Sequence, residues 1–269
     1  MMVEQERIAV LIACHNRVKL TLRTLSALKH SAEGINYDVY LVDDGSTDGT
    51  GEAVRDRFPR VHVIQGDGKL YWAKGMRHAW EVASRKADYD FYLWLNDDLD
   101  IKSDALRGML SDYEKTKGVV VGACSQDNSE TICSYGASDE KDHKIIPCGI
   151  PQIARGWLNG NFVLVPREVY QKVGMISGEY THARADYDYA ERLKRAGVPF
   201  YCSSDYVGSC RDDFAEKMRG VSLWQRIKLL RQPGYFNLRD LWLIRSRYHG
   251  FVRAVCSCAH LIALVILGK

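Results

Sequence analysis

Short apolar runs alternate with amphipathic segments along the first half of the chain. The apolar runs are rich in β-branched residues and predict strands, namely IAVLIAC, DVYLVD, VHVI, DFYLWL and VVVGA. The segments between the earlier runs have helical spacing, as in Val18, Leu22, Leu25 and Leu28 after a capping Asn16. Strands that alternate with helices predict an α/β fold, with a single Rossmann-like, mostly parallel twisted sheet flanked by helices.

The second half of the chain predicts a less regular structure. Periodicity fades between residues 125 and 155, after which GNFVLV predicts a strand and REVYQKVG a helix. The apolar and basic end, from SLWQRIKLLRQ to FVRAVCSCAHLIALVILGK, predicts a helical extension. We therefore expect one domain over residues 1–215, with halves at 1–124 and 125–215, followed by an extension over 216–269.

The C-terminal extension has two consistent interpretations. Its last apolar run is shorter than the roughly 20 residues that span a bilayer. Apolar surface together with cations such as Lys228, Arg231 and Arg253 suits peripheral contact with an anionic membrane face. A helix packed on the preceding domain is equally consistent with the same pattern.

Composition adds little about partners. The 269 residues are 46% hydrophobic and 26% charged, which is typical of a globular protein. The net charge of +3 comes from interspersed signs, so the long basic stripe of a nucleic-acid-binding protein is absent from the sequence. The start MMVEQER lacks the features of a signal peptide, and the eight cysteines lack paired C-x-x-C spacing. We expect a cytoplasmic protein with reduced thiols.

Three acidic groups carry the candidate chemistry. In VDDGSTDGT, Asp43 and Asp44 end a predicted strand, where ligands bind in open α/β sheets. LWLNDDLD also ends a strand, with carboxylates of the kind that bind Mg²⁺ or Mn²⁺. In ADYDYAERLKRAG, Asp186 opens a predicted helix and is suited to general-base chemistry. Each group alone also fits a simpler role as a turn, a solvated loop or a helix cap.

The order of these motifs resembles the inverting family 2 glycosyltransferases of the GT-A fold. The resemblance covers about Ile8 to Cys210 and rests on ACHNR, VDDGSTDGT, LNDD, GNFVLVPREVYQKVG and ADYDYAERLKRAG. It is closest to the bacterial branch that builds capsule, O-antigen or cell-wall polysaccharides, including rhamnosyl- and galactofuranosyltransferase-like enzymes. It implies sugar transfer from a UDP- or dTDP-sugar to a hydroxyl of a glycan or lipid-linked oligosaccharide acceptor.

The resemblance also implies the residues of the site. Asp186 corresponds to the catalytic base, and Asp98 to the last carboxylate of the D-x-D motif that binds Mg²⁺ or Mn²⁺. The implied acceptor-binding residues are Trp157, Asn159 and Asp188. The implied donor-binding residues are Ala13, Asn16, Asp44, Asp67, Gly75 and Asp97.

Three departures from the family pattern concern the metal and the base. Asn96 stands at the first position of D-x-D, and Ala185 replaces the Glu that often precedes the base. Many relatives have a metal-binding His after the last helix motif, whereas this region reads YVGSCRDD. Cys210, His182 or His249 could substitute for it, and the sequence does not choose among them.

Other classes of function stay open from the sequence alone. A nucleotidyltransferase also binds nucleotides and metals, although ACHNR is not the Gly-rich basic loop that such enzymes commonly use. A non-catalytic subunit would bind the nucleotide-sugar without turnover. A scaffold would use the basic, apolar tail to assemble other polysaccharide enzymes.

Overall fold

A computed structural model describes residues 6–126, 129, 131–211, 221–234 and 236–267. The predicted domain boundary between residues 215 and 216 lies outside the described residues. The strands are β1 (Arg7–Cys14), β2 (Asn36–Asp43), β3 (His62–Gln65), β4 (Phe91–Leu95), β5 (Asp100–Ile101), β6 (Val119–Ser125), β7 (Cys133–Tyr135), β8 (Gln152–Ala154), β9 (Phe162–Pro166) and β10 (Phe200–Ser209). The helices are α1 (Val18–Ser31), α2 (Thr50–Arg57), α3 (Tyr71–Lys86), α4 (Ala105–Thr116), α5 (Arg167–Val173), α6 (Ala185–Arg195), α7 (Leu223–Leu229), α8 (Leu238–His249) and α9 (Phe251–Leu267).

The strands form one sheet flanked by helices, which confirms the predicted fold class. Over the described residues the strand order is β3-β2-β1-β4-β9-β6-β10-β5, while β7 pairs with β6 and β8 with β10. β3, β2, β1 and β4 are parallel, and β9 is antiparallel between β4 and β6. The strand order reverses at β1, because β2 lies on one side of it and β4 on the other. Ligands of open α/β sheets bind outside the carboxyl ends of the strands at such a switch point.

Both faces of the central strands are buried. In β1, Ala9 and Leu11 pack into a cluster with α3 and α6, whereas Ile8, Val10 and Ile12 pack into a cluster with α1 and α4. A strand covered by helices on both sides needs apolar residues at almost every position, and the sequence of β1 has this composition. This packing holds the loops at the carboxyl ends of β1 and β4 on a rigid support.

The first turn of α1 is capped differently from the prediction. Arg17 stands at the N-cap without a side-chain capping bond, and the N–H of Val18 donates to Asp48 Oδ2 at 3.1 Å. Asn16 has a φ of 53°, and its Oδ1 accepts a hydrogen bond from the N–H of Thr47 at 2.7 Å. Asparagine tolerates this left-handed backbone better than most residues. The prediction that Asn16 caps α1 is therefore wrong, because the capping carboxylate comes from the loop after β2.

The C-terminal helices have a core of their own. α8 and α9 pack together, and a separate buried cluster contains Leu230, Phe236, Leu241, Leu261 and Val265. None of the helices in the described part of the chain is both long and apolar enough to cross a membrane.

An apolar stripe lies on the exposed side of α9. Its members recur at spacings of three and four and are Val252, Val255, Ala259, Ile262 and Ile266. The residues on the opposite side of the helix, Ala254, Leu261 and Val265, are buried. Helix α9 thus presents apolar side chains both to the protein and to solvent. We call the exposed set the α9 stripe.

Candidate active site

Asp44 directly follows β2 and holds the loop that precedes α3. Its Oδ1 accepts a hydrogen bond from the N–H of Gly68 at 2.9 Å, and its Oδ2 accepts one from the N–H of Tyr71 at 2.7 Å. The residue is 3% exposed, so its carboxylate serves the protein's own backbone. Asp67, the exposed predicted donor residue in this loop, accepts a hydrogen bond from the N–H of Lys69. Asp44 therefore fixes the loop that carries Asp67.

The end of β1 lies directly against α3. A Cβ added to Gly75 would come within 2.9 Å of Ala13 Cβ, which is closer than such atoms approach in proteins. Glycine is therefore needed for this close approach. Asn16, just beyond β1, is bound to the loop after β2 through its backbone N–H, which donates to Ser46 Oγ at 2.9 Å. The predicted donor residues outside the acidic motif thus lie around the ends of β1 and β2.

Asp97 and Asp98 follow β4 and share one cation. Arg17 Nη1 lies 3.1 Å from Asp97 Oδ1 and 2.7 Å from Asp98 Oδ2. Thr21 Oγ1 donates to Asp97 Oδ2 at 3.4 Å. Burial raises the pKa of Asp97 to about 6, and the Arg17 guanidinium opposes this rise. Asp98 is half-buried and closer to solvent. Of the two carboxylates, Asp98 is the accessible one.

Asn96 is turned away from the acidic pair. Its Oδ1 accepts a hydrogen bond from Trp72 Nε1 at 2.8 Å. The Trp72 ring lies so close to Gly160 that a Cβ on Gly160 would collide with it. The Asn96 N–H donates to the carbonyl of Asn161 at 3.0 Å, which ties the end of β4 to the start of β9. Asn96 thus positions Trp72 and the segment that leads into β9.

Asp186 lies in the first turn of α6 and contacts this same segment. Its Oδ2 accepts a hydrogen bond from the N–H of Gly160 at 3.2 Å, and its Oδ1 accepts one from the N–H of Tyr187 at 2.9 Å. Burial raises the pKa of Asp186 to about 6, while these two N–H groups and Arg184 oppose the rise. A carboxyl group with such a pKa is ionised at neutral pH and is suited to accept a proton.

Two of the three predicted acceptor residues lie beside Asp186. The Trp157 ring stacks on that of Tyr187 with centroids 5.7 Å apart and planes 20° apart. Asn159 is half-buried, and its Oδ1 accepts a hydrogen bond from the N–H of Gly136 at 3.4 Å. The stacked rings form an aromatic surface next to the carboxylate.

Asp188 occupies a different environment from the prediction. The residue is 0% exposed, and its carboxylate accepts hydrogen bonds from the Tyr180 and Tyr248 hydroxyls at 3.1 and 2.8 Å. Arg192 Nε lies 2.8 Å from its Oδ2, and Arg247 Nη1 lies 3.4 Å from its Oδ1. This burial contradicts a direct contact between Asp188 and an acceptor. Asp188 instead joins α6 to α8.

The sequence between residues 9 and 187 matches the profile of glycosyl transferase family 2. The matched stretch begins in β1 and ends in the first turn of α6, so it contains the acidic pair and Asp186. The chain belongs to glycosyl transferase family 2. The predicted family is confirmed, whereas the rhamnosyl- and galactofuranosyltransferase branch stays a prediction.

Solved structures share the fold of this family 2 glycosyltransferase. TarS 1–349 of S. aureus superposes with a TM-score of 0.57 at 13% identity, covering 97% of this chain and 81% of that one. Mannosyltransferase PcManGT from Pyrobaculum calidifontis, in complex with GDP-Man and Mn²⁺, gives a TM-score of 0.52 at 16% identity, covering 98% and 81%. At these identities the superpositions show the fold alone.

A curated sequence relative is similar over a shorter region. Poly-β-1,6-N-acetyl-D-glucosamine synthase of Staphylococcus epidermidis is 30% identical over 119 residues, which are 44% of this chain. The matched region covers 28% of the synthase's own length.

The family's usual divalent cation fits Asp98 only in part. Mg²⁺ commonly binds one or two carboxylates together with substrate phosphates, and the half-buried Asp98 meets this requirement. The described residues include no group of three or more His, Cys, Asp or Glu side chains that could hold an ion by themselves. Among the proposed substitutes for the missing His, Cys210 contacts Asp98, with Sγ 3.9 Å from Oδ1, whereas His182 is exposed and His249 ends α8. The site thus suits an ion held jointly with a diphosphate.

Arg17 is the residue of the site that the sequence did not predict. It lies within ACHNR, but its ion pairs join residues 80 and 81 positions apart. The sequence does place Arg17 shortly after β1. Because β1 pairs with β4, the strand that precedes the acidic pair, this position was a signal that Arg17 lies near Asp97 and Asp98.

Proposed function

We propose that the protein is an inverting glycosyltransferase of bacterial surface polysaccharide synthesis. It transfers a sugar from a UDP- or dTDP-sugar to a hydroxyl of a glycan or lipid-linked glycan. The observation that carries this proposal is that Asp186 is hydrogen-bonded to Gly160, while the next residue, Asn161, is hydrogen-bonded to Asn96, which directly precedes Asp97 and Asp98. A proton acceptor and a candidate leaving-group site are thereby held at the same edge of the sheet, and an in-line displacement requires both groups close to the reacting atoms. We call the solvent-facing space beside these residues the cleft.

The chemistry follows from this arrangement. The acceptor oxygen attacks the anomeric carbon while Asp186 takes the hydroxyl proton, and the bond from that carbon to the phosphate oxygen breaks. The electron pair leaves with the nucleoside diphosphate, and the configuration inverts. Mg²⁺ or Mn²⁺ held by Asp98 would neutralise charge on the leaving diphosphate. Trp157 and Tyr187 offer an aromatic face against which a sugar ring of the acceptor packs.

The donor class is supported by what the solved relatives contain. TarS 1–349 has been solved in complex with UDP-GlcNAc, with a TM-score of 0.55 at 14% identity over 89% of this chain and 71% of that one. PcManGT contains GDP-Man. Both ligands are nucleoside diphosphate sugars. The loop fixed by Asp44 lies beyond the carboxyl end of β2, where nucleotides bind in open α/β sheets.

Nucleotide binding tests this function. We expect calorimetry to detect binding of UDP or dTDP that strengthens with Mn²⁺. Asp98→Ala should lose the Mn²⁺ dependence, because it removes the accessible carboxylate. Asp100→Ala, at an exposed neighbouring position, should retain it. The absence of binding of either nucleotide to the wild type would contradict the proposal and favour the scaffold. Binding without release of nucleoside diphosphate from any donor, across a panel of glycan acceptors, would favour the non-catalytic subunit.

The C-terminal helices support a location at the inner face of the cell membrane. The C-terminal helices also carry Trp224, which is 78% exposed, Phe251, which is 69% exposed, and the exposed cations Arg253 and Lys228. Helices that expose apolar, aromatic and cationic side chains suit the interface of an anionic bilayer. We propose that the protein is cytoplasmic and contacts this surface peripherally, where a lipid-linked acceptor would be available.

Vesicle sedimentation tests the membrane contact. The wild type should sediment with phosphatidylglycerol vesicles at low salt and less with phosphatidylcholine vesicles. Ile262→Glu should reduce sedimentation by placing a charge in the α9 stripe, whereas Ser26→Glu adds the same charge at an exposed position of α1 and should not. Failure of the wild type to sediment with either vesicle would contradict the contact.

A further inference from the structure

Arg17 neutralises both carboxylates of the acidic pair through a single nitrogen. Nη1 lies 2.7 Å from Asp98 Oδ2 and 3.1 Å from Asp97 Oδ1. A guanidinium carries five N–H donors. Within the described residues, the side-chain hydrogen bonds of Arg17 are both made by Nη1, and 46% of the side chain is exposed. The remaining donors are therefore accessible to a ligand in the cleft.

This ion pair conflicts with a metal ion on the same carboxylate. Asp98 Oδ2 is engaged by Arg17, and Oδ1 lies 3.9 Å from Cys210 Sγ. A divalent cation bound to Asp98 would lie within a few ångströms of the guanidinium, where two positive charges repel each other. The ion and Arg17 therefore compete for Asp98. Guanidinium groups bind phosphate oxygens in the same forked geometry as carboxylates, so a diphosphate offers Arg17 an equivalent partner.

We propose that Arg17 is a ligand of the donor's diphosphate and exchanges Asp98 for the phosphate oxygens when the donor and its metal ion bind. This inference rests on the proposed function, because it requires a nucleoside diphosphate in the cleft. It assigns opposite effects to one side chain. In the empty site Arg17 opposes metal binding to Asp98, and in the donor complex it stabilises the diphosphate.

A purely structural counter-ion would behave differently. Such a residue would neutralise Asp97 and Asp98 without contacting the nucleotide, so a replacement that keeps its charge would keep the affinity for UDP. A diphosphate ligand holds UDP through the forked guanidinium, so a lysine in its place restores the affinity only in part. Uridine has no phosphate and serves as the reference for an intact site. The ratio of the UDP and uridine affinities in Arg17→Lys therefore separates the two roles, and a wild-type ratio in that variant overturns the proposal.

The experiment compares Arg17→Gln, Arg17→Lys and Arg23→Gln. Arg23 is a matched control because it is a half-exposed arginine whose Nε lies 3.4 Å from Asp100 Oδ1, an exposed carboxylate next to the site. Affinities for UDP and uridine are measured with Mn²⁺ by calorimetry and ligand-observed NMR, and Mn²⁺ alone by electron paramagnetic resonance. If the wild type prefers dTDP, then dTDP and thymidine replace the uridine pair.

Arg17→Gln is expected to change the affinities for UDP and for Mn²⁺ in opposite directions. Arg17→Gln should weaken UDP binding about tenfold or more, the range for a lost hydrogen bond to a charged group, and leave uridine binding unchanged. The same variant should bind Mn²⁺ alone about threefold or more tightly, because a competing charge is removed. Arg17→Lys should fall between Arg17→Gln and the wild type, and Arg23→Gln should match the wild type.

Several outcomes overturn the proposal. If Arg17→Gln binds UDP as the wild type does, Arg17 is not a diphosphate ligand, although the proposed glycosyltransferase function stands. If the wild type binds neither nucleotide, both proposals fail. If Arg17→Gln also loses uridine binding, its fold is disturbed and Arg17→Lys decides, since an unchanged ratio of UDP to uridine affinity in that variant overturns the proposal.

Discussion

Replacement of Asp186 by Asn is expected to lower turnover by a factor of about 10² to 10⁴, the usual contribution of a positioned general base. Asparagine keeps the size of the side chain and an oxygen for the N–H groups of Gly160 and Tyr187. It cannot take up the acceptor's proton. The loss should therefore appear in kcat, while the affinity for the nucleotide stays near that of the wild type. Release of nucleoside diphosphate in the presence of acceptor measures it.

The pH profile provides an independent check on the same residue. The carboxylate is the active form, and burial raises the pKa of Asp186 to about 6. Wild-type kcat should therefore fall as the pH drops through about 6, and the residual turnover of Asp186→Asn should lack this limb. Asp104→Asn, an exposed aspartate at the start of α4, is the matched control and should match the wild type. Full turnover in Asp186→Asn would refute the base assignment.

Replacement of Asp188 by Ala is expected to lower the free energy of unfolding by about 3 kcal/mol. Removing one partner of a buried ion pair typically destabilises a protein by about 3–5 kcal/mol. We expect the lower end, because Arg192 and Arg247 are partly exposed and water can reach them after the carboxylate is removed. Urea unfolding measures the effect. Glu114→Ala, on α4, breaks a well-exposed pair with Lys117, the residue after that helix, and should change stability little.

The acceptor kinetics of a milder variant separate a structural from a binding role. Asp188→Asn should keep the wild-type KM for the acceptor in whatever fraction of the protein stays folded, since the side chain lies outside the cleft. A raised acceptor KM with unchanged stability would contradict the structural assignment and restore the role that the sequence motif suggested.

The sequence predicted the framework because its signals are local. The apolar runs of β1, β2, β4 and β6 mark strands, and strand ends in a parallel sheet lie on a common edge. The motif order then linked Asp98 and Asp186 to one family, and the profile match confirms that family. The short strands β7 and β8 were not predicted, because three-residue segments have too few positions to show alternation.

The features that the sequence did not predict are contacts between distant positions. The pairing of Arg17 with Asp98 joins residues 81 positions apart, and the burial of Asp188 depends on Tyr248, which lies 60 positions later. Asn96 occupies a metal-motif position, but its orientation toward Trp72 depends on side-chain geometry. Such partnerships leave no periodicity in the sequence, so only the folded arrangement reveals them.

The contacts of Asp188 join α6 to α8, and they thereby connect the helix that carries Asp186 to the C-terminal helices. Asp188 is two residues from Asp186 on the same helix, and its partners Arg247 and Tyr248 precede α9 directly. A fragment that ends at residue 215 would lack both partners, so Asp188, two residues from the proposed base, would keep only Arg192 and Tyr180 of these partners. If the C-terminal helices bind a bilayer as proposed, a force on them would be transmitted to the helix that carries Asp186. The C-terminal helices therefore bear on the position of the proposed base whether or not they contact a membrane.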